Sequence, residues 1–447
     1  MQFNILSPSF FIRMFKKNLL VFSYLFSIGL YAQKKETLEW LNTNSIAIED
    51  ANPTTELVIF KQREPQKFTN AKIYGFGEAS HNTKDFFDLK AKFFKYLVVN
   101  HGLRVFIMEE SYQAESGINE WISGGKGDIK TIANNFKTGF WYTQEIVNLL
   151  KWMRDYNIGK PLDAQIRFYG MDPKSGVLIN LELRKFVTDN KISIDENLLK
   201  SIDSCANKSI DFSKKDAWWQ KQIPKLNEFK QLLAQSKKEQ LEVRKAIRSI
   251  NYLISYVEYA ALVGEKYPTG TQFRDLKMFE NVKYIIENES ENGKAFLWAH
   301  NDHISNTEMY YSGSNIINLG RHLKDYFKED YYSVGFDFGT GKINGYVIDE
   351  KKGNYWKTYT IEVPFSGTYA KTLMSVDKNI YFIDLENAIQ NEPSDFFEKE
   401  AKQLLIAAGG YQPNPLHKIL VRKIYSETYD GLLFVKSISI PNYKLDE

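Results

Sequence analysis

Cysteine is nearly absent from this 447-residue chain, and its basic and acidic residues almost balance. Cys205 is the only cysteine, so no intrachain disulfide can form and small disulfide-stapled secreted domains are excluded. The formal net charge is +3, and residues 1–32 carry three basic side chains and no acidic ones, so the rest of the chain is formally neutral. Neutrality argues against nucleic acid or an anionic membrane surface as a partner.

Several catalytic and nucleotide-binding motifs are also missing. No G-x-S-x-G sequence occurs, so the serine nucleophile of common α/β hydrolases is not expected. The chain has no HExxH motif, and Gly75-Phe76-Gly77 lacks the third glycine of a dinucleotide-binding fingerprint. Residues 335–342 have the wrong glycine spacing for a phosphate-binding loop and favour a β-hairpin instead.

Residues 1–32 have the pattern of a secretory signal peptide. A basic start (residues 13–17) precedes an uncharged apolar run (residues 18–31), and Ala32 offers a small residue for cleavage. The run has about 14 residues, short of the roughly 20 that span a bilayer, so cleavage is favoured over a membrane anchor. Met14 begins a compact signal by itself, so the residues before it can be an upstream start-site extension. We expect export to a bacterial periplasm or exterior, with no stable membrane insertion after cleavage.

Apolar segments of strand length alternate with amphipathic helical segments through much of the chain. Phe86, Leu89, Phe93 and Leu97, for example, recur at spacings of three and four, which gives a helix with one buried face. The first strands expected from this pattern are residues 71–74, 103–108, 165–171 and 295–299. The alternation predicts an α/β fold with a mostly parallel central sheet flanked by helices.

Two regions depart from that alternation. Residues of about 194–265 are poor in glycine and rich in Lys, Gln and Glu, and they carry an amphipathic stripe, so we expect a helical insertion that could act as a lid. A helix is expected at about residues 315–327, and a C-terminal region of mixed strands follows it. The strands expected there are residues 333–338, 343–348, 356–363, 380–383 and 432–436. We interpret residues 33–447 as one catalytic domain that includes the insertion.

Ionisable side chains follow four of the expected strands at the point where each strand ends. They are Glu78 and His81, Glu109 and Glu110, Asp172, and His300 and His303. Parallel strands bring their carboxyl ends to one edge of a sheet, where open α/β folds bind ligands. The sequence therefore predicts either an acid–base site or a metal site at this edge.

Simpler interpretations apply to several of these side chains. An acid near a helix start, such as Glu78, can serve the helix dipole alone. The HxxH spacing of His300 and His303 is common by chance and gains weight only from its place after an apolar strand. Lys90 lies one step off the buried helix face and is typical of a solvated lysine, and His101 is typical of a helix end.

The chain resembles the erythromycin esterase family over roughly residues 70–440. The stretches that carry the resemblance are GFGEASHNTKDFFDLKAKFFKYLV (75–98), VFIMEESY (105–112), RFYGMDP (167–173), FRDLKMFENV (273–282), LWAHNDHI (297–304) and DGLLFV (430–435). The first and the fifth are specific, and the others add context. The resemblance is patchy in the helical insertion.

The resemblance implies an enzyme that hydrolyses an ester of a small molecule, the type substrate of the family being the macrolactone of erythromycin. It implies that His81 is the general base that activates water, with Glu78 and Glu109 orienting or polarising that imidazole. His300 and His303 would complete the site, by holding the negative charge that develops on the carbonyl or by binding a metal. Attack by water needs no covalent acyl-enzyme, which agrees with the missing serine motif.

The resemblance also brings in supporting residues and leaves alternatives open. Lys90 matches a position that holds a basic residue in the family, and Asp172 and Arg274 match family patterns. No cofactor is expected as a requirement, but a divalent metal stays open. Its ligands would be His81, Glu109, His300 and His303. The alternatives are a non-enzymatic protein that binds a metal or haem and a metal-dependent hydrolase of another bond; the sequence carries no indication of oligomeric state.

Overall fold

The computed structural model describes residues 35–236, 240–265, 268–311, 314–349, 351–414 and 416–445. The expected signal segment, residues 1–32, lies outside these ranges. Within them, no helix combines the length and the apolar composition needed to cross a bilayer.

A nine-stranded sheet forms the centre of the fold. All strands in chain order are β1 Ile46–Ala47, β2 Ile73–Phe76, β3 Val105–Met108, β4 Arg167–Gly170, β5 Ala295–Trp298, β6 Met309–Tyr311, β7 Ser314–Ile316, β8 Tyr331–Val347, β9 Tyr355–Ile361, β10 Ile380–Asp384, β11 Ala401–Leu404, β12 Leu420–Lys423 and β13 Gly431–Ile438. The order in the large sheet is β1-β10-β13-β8-β2-β5-β3-β4, and β9 pairs with β8. The strands from β13 to β4 run parallel, whereas β1, β10 and β9 are antiparallel additions. This mostly parallel sheet confirms the expected fold class.

Side chains alternate between the two faces of the sheet and fill two apolar layers. On β5, Phe296 and Trp298 enter one layer together with Phe76 and Phe106, whereas Leu297 enters the other. All five side chains are buried. Burial on both faces explains why the parallel strands read as continuous apolar runs in the sequence.

Helices cover both faces of the sheet. In chain order they are α1 35–44, α2 Val58–Gln62, α3 Gln66–Asn70, α4 Lys84–His101, α5 Ile118–Ile122, α6 Ile129–Ala133, α7 Gln144–Asn157, α8 Ile179–Asp189, α9 Glu196–Asn207, α10 Trp218–Ala234, α11 Gln240–Ala261, α12 Thr269–Glu289, α13 Asn301–Ile304, α14 Leu319–Phe327, α15 Ala370–Leu373, α16 Leu385–Asn391 and α17 Tyr425–Thr428. Gly102 ends α4 with a φ of 69°, which lets its N–H reach the Leu97 carbonyl. His101 in the last turn lies 3.0 Å from Glu64 (Nε2 to Oε1), which fits the structural role expected for it.

The helical region between β4 and β5 has an apolar core of its own. Helices α8 to α11 pack around it, and α11 is also joined to the sheet by polar contacts. The buried Arg248 of α11 donates to Glu115, and the Tyr252 hydroxyl donates to the Gly170 carbonyl at the end of β4. These contacts fasten the helical region beside the carboxyl edge of the parallel strands.

The structure differs from the sequence-based expectation in three places, the first being β2, which covers Ile73–Phe76 where residues 71–74 were expected. Strand β8 is unbroken, so the predictions of two separate strands and of a hairpin at residues 335–342 are wrong. A glycine is needed inside the strand because β13 approaches closely: a Cβ on Gly341 would lie 2.1 Å from a carbonyl oxygen of β13. Residues 314–316 form a strand paired with β6, and the following helix begins only at Leu319, where the Asn318 side chain caps it.

Candidate active site

The residues that follow β2, β3, β4 and β5 lie together at the carboxyl edge of the sheet. These four strands are adjacent and parallel, in the order β2-β5-β3-β4. Backbone hydrogen bonds continue past the strand ends, from the Glu109 N–H to the Trp298 carbonyl and from the Asn301 N–H to the Glu78 carbonyl. The structure therefore brings the residues predicted from the sequence to one edge, and their contacts follow.

Glu78 is wholly buried and links His81 to Lys90. Its Oε1 lies 2.5 Å from His81 Nδ1, and its Oε2 accepts a hydrogen bond of 2.7 Å from Lys90 Nζ. Because a carboxylate only accepts hydrogen bonds, this contact assigns the ring proton of His81 to Nδ1. The lone pair of the imidazole then lies on Nε2.

Lys90 has no exposed surface, so the solvated-lysine interpretation is wrong. Besides its bond to Glu78, its Nζ donates to the Ala299 carbonyl at 3.3 Å and lies 4.3 Å from the centroid of the Trp298 ring. Burial lowers the pKa of Lys90 to about 8, although the charges of Glu78 and Glu109 act to raise it. Lys90 is therefore a buried cation near neutral pH, held against the Glu78 carboxylate.

His300 faces His81, with ring centroids 4.9 Å apart. Its Nδ1 accepts the backbone N–H of Asp302 at 3.3 Å, which assigns the ring proton to Nε2. Burial, aided by the neighbouring His81, lowers the pKa of His300 to about 3, so the ring is neutral near pH 7. Nε2 is buried and has no hydrogen-bond partner among the described residues. His300 therefore presents an N–H group that no described residue satisfies.

Glu109 and Asp172 hold the guanidinium of Arg274, which reaches the edge of the sheet from α12. Arg274 donates from Nε and Nη2 to Asp172 at 2.8 and 2.7 Å, and from Nη2 to Glu109 Oε1 at 2.7 Å. Glu109 Oε2 accepts the backbone N–H of His300 at 2.9 Å. Although burial acts to raise the pKa of Glu109, His303 and Arg274 hold it well below its usual range. Glu109 thus joins α12 to the turn that carries His300.

His303 lies between two carboxylates. Its Nδ1 donates to Asp275 Oδ1 at 2.7 Å, and its Nε2 lies 3.3 Å from Glu109 Oε1 and 3.0 Å from Arg274 Nη1. Burial lowers the pKa of His303, but the Asp275 and Glu109 charges outweigh burial and the Arg274 charge and raise it to about 10. Nη1 of Arg274 can only donate, so its 3.0 Å contact is a hydrogen bond when Nε2 of a neutral ring carries the lone pair, whereas an imidazolium would direct its Nε2 proton to Glu109 at 3.3 Å. Both ring nitrogens of His303 are held by Arg274, Asp275 and Glu109, so neither is free to take a proton from water.

The site is closed to solvent. His81, His300 and His303 expose only 4, 4 and 7% of their surface. Phe140, in the 3₁₀ turn Gly139–Trp141, stacks on the His81 ring with centroids 4.6 Å apart. Cavities of about 490 Å³ between α4 and α7 and about 320 Å³ among α10, α11 and α12 include none of the predicted site residues. The loop that contains the turn Gly139–Trp141, here called the covering loop, leaves little of His81 open to a substrate.

Comparison with known proteins identifies the family of this chain. The erythromycin esterase family model matches residues 98–438, about three quarters of the chain. The chain belongs to the erythromycin esterase family. It is therefore a hydrolase of ester bonds, lactones included, and family members act on small-molecule esters.

A curated relative is similar to this chain in sequence, and three solved structures share its fold. Erythromycin esterase type II of Escherichia coli is 24% identical over 389 residues, which cover 80% of this chain and 91% of the relative. A Bacillus cereus protein of solved structure shares the fold with a TM-score of 0.80 at 22% identity, over 92% of this chain and 99% of its own. A succinoglycan biosynthesis protein gives a TM-score of 0.78 at 18% identity, over 92% and 99%. A histidine-to-asparagine mutant of the erythromycin esterase EreC, in its open conformation, gives 0.64 at 17% identity, over 89% and 98%.

The four residues considered as metal ligands, His81, Glu109, His300 and His303, do not converge as a ligand set in this family member. Both oxygens of Glu109 already accept hydrogen bonds, from Arg274 and from the backbone of His300. Both ring nitrogens of His303 also face carboxylates. Within the described ranges, no group of three or more His, Cys, Asp or Glu side chains is arranged to hold a metal ion. In this arrangement these four side chains therefore do not fit as the ligands of a metal ion.

Three residues at the site of this family member were not found from the sequence. Asp275 contacts His303, Phe140 covers His81, and Asn301 exchanges two hydrogen bonds with the Phe336 backbone on β8. Asp275 could have been found from its position beside Arg274 in a matching stretch. Phe140 carries no such signal, because its contact depends on how a loop folds back over the site.

Glu110 follows β3 as predicted but does not reach the imidazoles. Its Oε1 accepts the N–H of Ser111 at 2.6 Å, and its Oε2 accepts the N–H of Thr138 at 2.9 Å. Thr138 directly precedes the 3₁₀ turn that carries Phe140. Glu110 thus anchors the covering loop and is a structural residue of the closed site.

Proposed function

We propose that the protein hydrolyses a carboxylic ester or lactone by direct attack of water, with His81 as the general base and no acyl-enzyme. One observation carries the proposal: two facing imidazoles have opposite protonation. His81 donates from Nδ1 to Glu78 and keeps a lone pair on Nε2, whereas His300 carries its proton on an unpartnered Nε2. With ring centroids 4.9 Å apart, both can act on one ester group once the site opens.

The reaction takes two proton transfers at His81. His81 Nε2 accepts a proton from water as the water oxygen bonds to the carbonyl carbon, and the Glu78 carboxylate stabilises the imidazolium that forms. The tetrahedral intermediate then collapses, the bond to the alkoxide oxygen breaks, and this oxygen takes the proton back from His81. The products are a carboxylic acid and an alcohol, which stay in one molecule when the substrate is a lactone.

His300 is the group that we propose stabilises the negative charge on the carbonyl oxygen. Its Nε2–H is buried and has no partner in the described ranges, so forming this hydrogen bond displaces no contact seen there. A donor of this kind is worth about 3 kcal/mol in the transition state, or about a hundredfold in rate. Because the His300 ring is neutral near pH 7, it donates without competing with His81 for the proton of water.

The remaining predicted residues act as supports in this proposal. Lys90 holds the second oxygen of Glu78, so Glu78 keeps one orientation toward His81. Glu109 holds the backbone of His300, and Arg274 holds Glu109 together with Asp172. Glu78, Glu109 and Asp172 are each paired with a buried cation, which keeps the reacting groups in fixed positions.

A bulky, partly apolar ester is the substrate class that we favour, with a macrolactone as the first candidate. The Escherichia coli relative is an erythromycin esterase, and aromatic rings line the covering loop of this chain. Phe140 lies against the His81 ring and Trp141 meets it edge-on at a centroid distance of 5.5 Å. Rings that move with the loop can contact the apolar part of a substrate.

The test is a hydrolysis screen of several macrolides and plain aryl esters, read by mass spectrometry as addition of one water. We expect turnover by the wild type, and a loss of about a hundredfold or more in His81→Ala with an unchanged circular dichroism spectrum. His417→Asn serves as a control, because His417 is exposed on a distant turn. Pre-steady-state hydrolysis of an aryl ester should show no burst, since a burst reports an acyl-enzyme. Unchanged turnover in folded His81→Ala would overturn the proposal.

We also propose that residues 1–32 direct export to the periplasm or exterior and are then removed. The basic start, the short apolar run and Ala32 support this proposal. Cell fractionation followed by intact-mass measurement of the mature protein tests it. We expect an exported chain that begins directly after Ala32 or one residue later; a chain that stays in the cytoplasm with its first residues intact would contradict the proposal.

A further inference from the structure

Asp275 lies on α12 next to Arg274, and none of its surface is exposed. Its Oδ1 accepts two hydrogen bonds, from His303 Nδ1 at 2.7 Å and from the backbone N–H of Leu319 at 2.9 Å. Its Oδ2 is buried and has no hydrogen-bond partner in the part of the chain that the structure describes. One carboxylate oxygen thus joins α12 to the 300–303 turn and to the start of α14.

A purely structural role does not explain a carboxylate at this position. The first turn of α14 is already capped, because the Asn318 side chain accepts the Arg321 N–H at 2.8 Å. An amide in place of Asp275 would still offer one oxygen to the Leu319 N–H. The second oxygen of the carboxylate is left unsatisfied, and such a buried group costs about 1–3 kcal/mol. A negative charge that is retained at this cost points to the group it faces, which is His303.

The charges around His303 explain what Asp275 does. Three carboxylates, Glu109, Asp172 and Asp275, lie around the single guanidinium of Arg274. Lys174 also pairs with Asp172 at 3.3 Å, and the ring of His303 contacts the other two carboxylates. The hydrogen bond to Asp275 fixes a proton on Nδ1 and turns Nε2 toward Glu109.

Glu109 links the ring of His303 to the backbone of His300. Its Oε1 faces His303 Nε2 at 3.3 Å, and its Oε2 holds the backbone N–H of His300 at 2.9 Å. Asp275 therefore contacts the C-terminal part of the short helix α13 through His303. Glu109 contacts the N-terminal end of this helix through the backbone of His300. The unpartnered Nε2–H of His300 projects from a turn that is held at both ends.

We propose that Asp275 is a positioning residue for ester hydrolysis: it fixes the ring of His303 and, through His303 and Glu109, holds the turn that presents His300. The proposal rests on the proposed function, since ester hydrolysis is the reaction that the turn would serve. Asp275 itself does not touch the substrate in this scheme.

Kinetics of Asp275→Asn provide the first test. We expect kcat to fall about 10- to 100-fold, a common effect of removing a group that orients a reacting side chain, while KM changes less than about twofold. Glu392→Gln is the matched control. Glu392 is also a buried carboxylate that accepts hydrogen bonds, from Ser394 and Phe396, but it lies at the end of α16. Wild-type kcat in Asp275→Asn, or an equal loss in Glu392→Gln, would overturn the proposal.

A double-mutant cycle separates positioning from general stabilisation. If Asp275 acts through His303, adding Asp275→Asn to His303→Asn should lower kcat by no more than about twofold beyond the single His303→Asn variant. If the two losses multiply, Asp275 acts by another route and the proposal fails.

A measurement without substrate completes the test. In protein labelled with ¹⁵N-histidine, the His303 signals are assigned by their absence in His303→Asn. We expect a proton on Nδ1 of wild-type His303, and a changed chemical shift of that signal in Asp275→Asn, because a neutral amide oxygen accepts the hydrogen bond more weakly than a carboxylate. A wild-type His303 protonated on Nε2 alone overturns the proposal even if Asp275→Asn does not fold. If no ester is hydrolysed by the wild type, the proposed function fails while the Nδ1 measurement still decides the contact.

Discussion

At the residue scale, the facing imidazoles His81 and His300 differ in the partner of Nδ1. For His81 the partner is a carboxylate oxygen, which requires a proton on Nδ1; for His300 it is the backbone N–H of Asp302, which requires a lone pair there. The opposite ring nitrogens consequently carry a lone pair in His81 and a proton in His300. Two residues of one type thus take different roles because the protein offers them different neighbours.

His300→Asn isolates the donor role of His300. Asparagine is a good N-cap and can still accept the Asp302 N–H, but it is too short to place a donor where Nε2 lies. We expect kcat to fall about 100- to 1,000-fold, the usual effect of losing one donor to the oxyanion, with the melting temperature nearly unchanged. Steady-state kinetics and thermal unfolding of the same preparation check this. A folded variant with wild-type kcat would show that His300 is not the donor.

The sequence was sufficient to predict a site residue when that residue closely follows a strand of the parallel sheet. Glu78, Glu109 and Asp172 are of this kind, because the carboxyl ends of adjacent parallel strands must meet. Lys90 was assigned to solvent, since a helical pattern shows which face is buried but not that the first turns of α4 pass over the edge of the sheet. Asp275 was not selected because its contact with His303 depends on where α12 docks.

At the scale of elements, the turn after β2 and helix α13 pack without space between them. A Cβ on Gly77 would lie 2.1 Å from Asn301 Oδ1 and 3.1 Å from its Cα. Asn301 is also bonded to the Phe336 backbone through both ends of its side-chain amide, so it cannot easily move. Glycine at this position therefore sets the distance between the turn that carries His81 and the helix that follows His300.

Gly77→Ala should disturb both stability and hydrolysis. We expect the free energy of unfolding to fall by about 1–3 kcal/mol, as for other overpacked sites, and kcat to fall because α13 is displaced. Gly409→Ala is the control, since a Cβ there meets nothing within 4 Å. Urea unfolding and ester hydrolysis of both variants give the comparison. If Gly77→Ala matches Gly409→Ala in both, the close approach has no such role.

Elements were predicted well where local pattern decides and poorly where long-range pairing decides. The spacing of Phe86, Leu89, Phe93 and Leu97 predicted the buried face of α4, and all four side chains are buried. The glycines at residues 335–342 were interpreted as a turn, yet β8 continues through them because β13 and β9 pair along it. The helix expected at about residues 315–327 begins later than expected, because residues 314–316 form a strand that pairs with β6.

At the scale of the whole molecule, buried ionisable groups couple folding to pH. Burial raises the pKa of Glu110 and Asp337 to about 7, and that of Glu115 to about 7 despite the charge of Arg248. Each holds a proton in the folded chain at pH values where the unfolded chain, with a carboxyl pKa near 4, has lost it. Stability therefore falls as the pH rises from about 4 through 7.

The histidines of the site modify this trend in opposite directions. His303 has a raised pKa of about 10, so its stabilisation is complete below a pH of about 6.5 and is lost as the pH rises toward 10. His300 has a lowered pKa of about 3, so it increases stability as the pH rises from about 3 to 6.5. The three carboxyl groups together outweigh this single opposing group.

We expect the free energy of unfolding at about pH 8 to be lower than at about pH 5, by roughly 2 kcal/mol or more. Asp337→Asn removes one of the titrating groups and should reduce this difference by about 1–2 kcal/mol. Asp337 suits the purpose because it accepts hydrogen bonds from Tyr425 and Phe338 and not from the imidazoles. Urea unfolding at both pH values measures the difference. A protein equally stable at both, or an Asp337→Asn variant with the full difference, would contradict the pH linkage.

The central claim is that His81 and His300 act on one carbonyl group without a covalent intermediate. The most direct measurement is a crystal structure with a phosphonate ester that mimics the tetrahedral intermediate. We expect the phosphonate to be bound non-covalently, with one oxygen about 3 Å from His300 Nε2, another facing His81 Nε2, and Phe140 moved aside. A phosphonate bonded to a serine, or one seated in the cavity between α4 and α7 away from both imidazoles, would contradict the account.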